Sequence, residues 1–151
     1  MAITSAIANS FKQEILVGTH NFTASSGHTF KIALIKANAS QSGTYNASTT
    51  NYSVVTGNSD ELPNGSGYTT GGNTLTSVTP VLDSSTAVCD FANTSWSSAT
   101  FTTRGCIIYN TSASNKAVMV LDFGADYSVS NGTFTVEFPT ANASNAIIRI
   151  S

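Results

Sequence analysis

The sequence predicts an all-β protein: an antiparallel β-sandwich or jelly roll with a short N-terminal helix or arm. Three observations carry that expectation. Apolar residues alternate with a period of two through most of the chain, clusters of Gly, Asn and Ser separate those runs, and a helical period appears only near the N-terminus. The 151 residues fit one domain, 1–151, long enough to bury a core without metals or disulfides.

Ile3, Ile7, Phe11 and Ile15 recur every four residues and predict one apolar helical stripe over residues 3–17. Ser10 and Gln13 have capping-box spacing, so the alternative is a helix that begins at Phe11 behind an arm of residues 1–9. Gly18 is the natural stop, which sets 1–18 apart. After His20 the period changes: Phe30, Ile32 and Leu34 alternate with Lys31, Ala33 and Ile35 and predict a strand. Residues 37–66 are polar, anchored only by Tyr45, Tyr52, Val54, Val55 and Leu62, and predict a long loop with one short edge strand at most. A loop of that length inside a compact domain is functional or held by a partner. Glycines at 65, 67, 71 and 72 punctuate a strand about Tyr68. Residues 75–82 form a further strand that Pro80 confines to an edge. Strands are expected at 87–91, 99–109, 117–123, 133–138 and 146–150. Turns at 110–116 and Asn131-Gly132 separate them, and Gly105 marks a bulge.

Only 9% of residues are charged, against about a quarter in an ordinary soluble domain, and 22 Ser, 22 Thr and 14 Asn fill the gap. Water wets such a surface, yet at a net charge of −2 it carries almost no repulsion. That suits a subunit packed into an assembly, or a protein exposed outside a cell, better than a free cytosolic enzyme. The basic residues Lys12, Lys31, Lys36, Arg104, Lys116 and Arg149 are scattered, so nucleic acid is not an expected partner. No apolar run reaches membrane-spanning length, and residues 1–8 lack the regions of a signal peptide, so no membrane partner is expected.

Residues able to carry reaction chemistry are few. His20 and His28 flank a Gly/Ser turn without a neighbouring carboxylate or Cys and are expected to be solvated. No serine stands in Gly-x-Ser-x-Gly. Asp122-Phe123-Gly124 spells a kinase magnesium motif but lacks the glycine-rich loop and strand lysine that accompany it. Asp122 with Asp126 lacks the spacing that gathers six or more oxygens around calcium. Asp60 with Glu61, and Asp83 with Asp90, read as solvated carboxylates. Cys89 and Cys106 match no zinc pattern; a bridge between neighbouring strands is one reading and two core thiols the favoured one. Nine Asn-x-Ser/Thr sequons follow from the abundance of those residues. Trp96 is expected to be a core or interface anchor. No enzymatic activity, cofactor or metal is expected.

Several stretches carry a resemblance. They are Ser10-Phe11-Lys12-Gln13-Glu14-Ile15-Leu16 with Gly18, His20 and Phe22; Thr29-Phe30-Lys31-Ile32-Ala33-Leu34; and Gly67-Tyr68-Thr69-Thr70-Gly71-Gly72-Asn73-Thr74-Leu75. Further on come Trp96 to Gly105, Ala117-Val118, Leu121-Asp122-Phe123-Gly124, Asn131 to Val136, and Ala146 to Ile150. Together they resemble a family of small tailed-bacteriophage virion structural proteins over nearly the whole chain. The resemblance implies a place in the virion and no catalytic residues.

The expected function is therefore a capsid decoration, or cement, protein. It would bind the major capsid protein or other virion proteins as a homo-oligomer, with a trimer favoured. The alternatives are a neck, tail or fibre-associated protein, and a carbohydrate-binding sandwich module presenting Tyr45, Tyr52, Tyr68 and Trp96 on one face. The expected contact residues are Ile3, Ile7, Phe11 and Ile15 of the arm or helix, and Tyr45 and Tyr52 of the 37–66 loop.

Overall fold

The apolar run that begins at Phe30 forms β2 (Phe30–Lys36), and its surroundings explain the rest of the architecture. In the computed structural model, which describes residues 2–151, Ile32, Ala33, Leu34 and Ile35 are all fully buried. Consecutive buried residues point to opposite faces of a strand, so both faces of β2 are covered. β6 (Thr94–Asn110) pairs along β2, with Phe30 opposite Asn110 and Lys36 opposite Thr103. β7 (Lys116–Val136) returns along β6 after a short turn at Thr111–Ala113. β1 (Ala6–Ile7) and β3 (Asn73–Thr74) complete a five-stranded antiparallel sheet of order β1-β7-β6-β2-β3. β4 (Ser77–Asp83), β5 (Thr86–Phe91) and β8 (Ile148–Ile150) form a second antiparallel sheet of order β4-β5-β8. With 47% strand and 13% helix the fold is the all-β, sandwich-like class that the alternation predicts.

One face of β2 meets the smaller sheet through aromatic packing. Phe22 stacks on Phe30 at 4.3 Å between centroids, and Phe91 of β5 lies 5.6 Å from Phe30 and 6.0 Å from Phe138. Cys89 and Cys106 are free thiols in this core, as favoured over a bridge. Burial pushes both up, Cys89 to about 12, so neither is a thiolate near neutrality.

Of the two N-terminal readings, the helix over 3–17 needs correction. The arm followed by a short helix is the nearer one, with the helix starting two residues before Phe11. The helix, α1 (Asn9–Leu16), is shorter than the 3–17 stripe. Ile3 instead forms a bridge with Tyr45, and Ile7 belongs to β1. No capping box forms: the N-cap is Ala8 without a side-chain hydrogen bond, and the Ser10 hydroxyl is buried without a partner. Backbone pairing with β7 and residues 45–47 satisfies the arm's amides, so the helix starts only where that pairing stops. Gly18 ends α1 as expected, at φ +74°, with Thr19 N–H donating to the Glu14 carbonyl at 2.9 Å.

The strands at 117–123 and 133–138 prove to be one, β7, and Asn131-Gly132 is not a hairpin turn. Ser98, Gly124 and Asn131 take positive φ, and the β6–β7 register shifts on either side of Ala99 and between Thr103 and Gly105. Residues that favour turns are used here as bulges, since the partner strand continues past them. No strand forms about Tyr68, which closes a Gly65–Tyr68 bridge. The 37–66 segment contains a 3-10 turn at Asn38–Ser40, one short helix, α2 (Ser53–Gly57), and isolated bridges at Tyr45, Asn51, Glu61 and Gly65, rather than an edge strand. β4 is the predicted edge containing Pro80.

Gly72 (φ +72°) lies against β2, where a Cβ would overlap the Ile32 carbonyl oxygen and sit 2.8 Å from Ala33 Cα. Gly72→Ala is expected to cost at least ~2 kcal/mol in urea unfolding. Gly57→Ala, with open space around it, should stay within about 0.5 kcal/mol of the parent.

Candidate functional site

The residues expected to reach a partner turn inward. Ile3 (5% exposed), Phe11 (2%) and Tyr45 (0%) are core residues. Ile7, Ile15 and Tyr52 are half-buried against the same core. The arm and the 37–66 segment lie over the face of the large sheet turned away from the small one. Ile3 sits where a Gly105 Cβ would go, Tyr52 stacks on Tyr109 of β6 at 4.3 Å, and Asn51 bridges to Lys116. Phe11 packs on the other side, against His20 and Phe22, so the stripe Ile3–Ile7–Phe11–Ile15 is spent inside the molecule and forms no single surface. The expected aromatic platform does not form either, because Tyr45, Tyr68 and Trp96 are buried. Trp96 is a core anchor, 6.0 Å from Phe134.

Two neighbouring carboxylates hold that layer in place, contrary to their expected solvation. Asp60 is 1% exposed and Glu61 8%. Asp60 accepts from the Tyr45 hydroxyl at 2.5 Å and from the Ser42 and Gly43 amides at 2.8 and 2.7 Å. Glu61 accepts from the Tyr52 and Tyr68 hydroxyls at 2.5 and 2.7 Å and from Gly71 N–H at 2.6 Å. Tyr68 in turn receives the Leu34 N–H, and Tyr109 donates to the Gly71 carbonyl. Burial pushes the Asp60 carboxyl up, but the Tyr45 hydroxyl and the two amides outweigh it and hold the group below its ordinary 3.8. Burial, reinforced by the acids, raises the tyrosines, so each remains a donor.

A second buried network joins α1 to the β6–β7 turn, again where solvated groups were expected. His20 is 8% exposed; its Nε2 lies 2.8 Å from Glu14, whose other oxygen receives Lys116 at 2.7 Å. The Asn110 amide nitrogen lies 3.0 Å from Nδ1 of both His20 and His28. An amide donor on each Nδ1 assigns the proton of His20 to Nε2, where it is donated to Glu14. Burial, with weaker repulsion from His28 and Lys116, lowers His20 despite Glu14, so the ring is neutral near pH 7. Glu14 is pushed up by burial and pulled lower overall by Lys116 and His20. The network is saturated and offers no free base. Asp122 is paired with Arg104 at 2.7 Å and Asp126 accepts from Asn38 N–H, so the two do not converge on a cation. Among the described residues no group of three or more His, Cys, Asp or Glu could hold a metal, and no helix is long and apolar enough to cross a membrane.

What remains for contact is the outer surface. Beyond Thr103 the β6–β7 hairpin runs past β2 as a ribbon, and neither 94–103 nor 127–136 contains a charged residue. Its inner face carries Trp96, Phe101 and Phe134. Its outer face is hydroxyl-lined, with Ser95 bonded to Thr135 at 2.8 Å and Thr102 to Ser128 at 2.7 Å. Exposed apolar side chains gather at the end of α1 (Leu16 85%, Val17 71%) and on β4. An open groove of about 490 Å³ lies between β7 and the segment 138–147. Leu16 was missed because it lies off the stripe; an apolar pair directly before a helix-ending glycine was its only signal. No family model, curated protein or solved structure matches the chain.

Asp60→Ala or Glu61→Ala is expected to cost about 2–4 kcal/mol, because each leaves buried donors unpaired. The double variant should lose less than the sum, as the two share one peptide and one layer. Stability should also depend on pH in two steps. His20 has a lower pKa folded than unfolded, so its contribution is complete above its ordinary 6.5 and declines as pH falls below that. Asp60, Glu14 and Asp122 are lowered acids, whose contributions are complete above about their ordinary 3.8 to 4.5 and decline below. Urea melts from pH 8 to 3 check both steps, and His20→Gln should flatten only the first.

Proposed function

We propose that the protein is a capsid decoration, or cement, protein of a tailed bacteriophage, carried in the virion as a homo-oligomer that bridges major-capsid subunits, most simply as a trimer. The observation that carries this reading is the charge-free ribbon. Its outer face offers hydroxyls and methyls over two long paired strands. Covering hydroxyls that can exchange water for protein partners costs far less than covering carboxylates or ammoniums. A net charge of −2 leaves little repulsion between copies or toward a shell. Each copy needs to bury only about 1,600 Å² of total surface in a standard contact. An oligomer that touches several capsid subunits at once would leave slowly. The arm and the polar excursion of residues 37–66 already pack against the core, so they add little ordering cost on binding.

Quantitative mass spectrometry of the virions that encode the protein tests this reading. Hundreds of copies per particle are expected; a dozen or fewer would move it to the neck, tail or fibre, and none would remove it from the particle. Ser95→Lys with Thr102→Lys places two cations on the ribbon's outer face at little cost to folding. That variant should lower shell occupancy at least tenfold, whereas Thr44→Ala, at an exposed position outside the ribbon, should bind as the parent.

A further inference from the structure

The geometry points to a head-to-tail contact between copies of this chain, in which Leu16 and Val17 of one copy seat in the apolar groove of the next. It specifies the self-association within the function proposed above and does not depend on a shell being the partner. Leu16 and Val17 are the most exposed of the large apolar side chains among the described residues, at 85% and 71%. They project at the end of α1, and Gly18 beyond them has open space on its Cβ side. The groove is lined by Met119, Leu121 and Phe123 of β7 on one side, and by Phe134, Phe138 and Ile147. Tyr127 stands 51% exposed among its lining residues. Its volume of about 490 Å³ admits two aliphatic side chains.

Charge selects this occupant. The groove lining includes Asp122 and Glu137 and no basic residue. Asp122 is occupied by Arg104, while Glu137 is exposed and makes no ion pair among the described residues. On the projecting side, Lys12 lies one helical turn before Leu16 on the same exposed face, bonded only to Asn9 and in no ion pair among the described residues. Seating Leu16 thus brings a lone cation toward a lone carboxylate, which fixes the direction of insertion. Because the two surfaces differ, the contact is heterologous, and it either closes into a ring or runs on as a chain. Two aliphatic side chains cover much less than the roughly 800 Å² per partner of a standard interface. A single contact is therefore weak, and ring closure, where every copy gives one projection and one groove, supplies persistence.

Sedimentation velocity over a concentration series tests the contact, with circular dichroism to verify folding. The parent is expected to form closed oligomers. Leu16→Lys and Tyr127→Lys, both at exposed positions, should each raise the midpoint concentration of association at least tenfold. Mixed in equal amounts at millimolar concentration, these two variants should associate as far as a 1:1 dimer held by one weak contact and no further, since only one intact projection and one intact groove remain. Lys12→Glu and Glu137→Lys should each weaken association, and the chain carrying both should recover it. A parent that stays monomeric at millimolar concentration overturns the contact. So does an oligomer that Leu16→Lys leaves intact, although that result would spare the homo-oligomer in the functional reading.

Discussion

Asp60 and Glu61 are removed from water on neighbouring residues, and neither is neutralised by a direct ion pair. Hydroxyls and amides do that work: three tyrosines, Ser42, Gly43 and Gly71 donate to the four carboxylate oxygens. Donors that converge from residues 42–45, 52 and 68–71 can be satisfied together only when the whole excursion is folded onto β2 and β6. The two acids therefore convert a polar segment of low helix and strand propensity into a fixed layer. Burial of both faces of β2 depends on that layer, which also covers Tyr109 of β6.

The same arrangement decides which surfaces remain available. Apolar anchors of the arm and the excursion are consumed inside the molecule, which leaves the ribbon, the end of α1, the β4 edge and the groove facing solvent. Ionisable groups are consumed too. Glu14, His20, Asp60, Glu61, Arg104 and Asp122 are all bonded to one another or to fixed donors. A chain with so few charges and so many of them committed internally presents an outer skin that is almost electrically silent. Such a skin is easily covered by a neighbour, and that property links the core to the proposed role in an assembly.

The legible parts of the sequence were those governed by local periodicity and by chain chemistry. Alternation at Phe30 to Ile35 located β2, Pro80 marked an edge, Gly18 ended α1, and Gly105 marked a shift in register. Long-range pairing was not legible. Asn131-Gly132 has hairpin-turn chemistry, yet β6 continues opposite it, so the same backbone preference is spent on a bulge. Ile3 and Ile7 keep helical spacing with Phe11, yet Tyr45 and β7 offer their backbone better partners in extended form. Asp60 and Glu61 look like any acidic pair in a polar stretch, because the tyrosines that retain them lie 15 residues before the first of them, and 9 before and 7 after the second.

By itself, the order of amino acids determined the β class, the core-forming runs and a surface poor in charge, since each follows from residue type and spacing along one segment. Tertiary structure alone decided which apolar residues stayed outside. Exposure depends on what other segments cover, and it turned Tyr45 and Phe11 inward while leaving Leu16 and the groove uncovered.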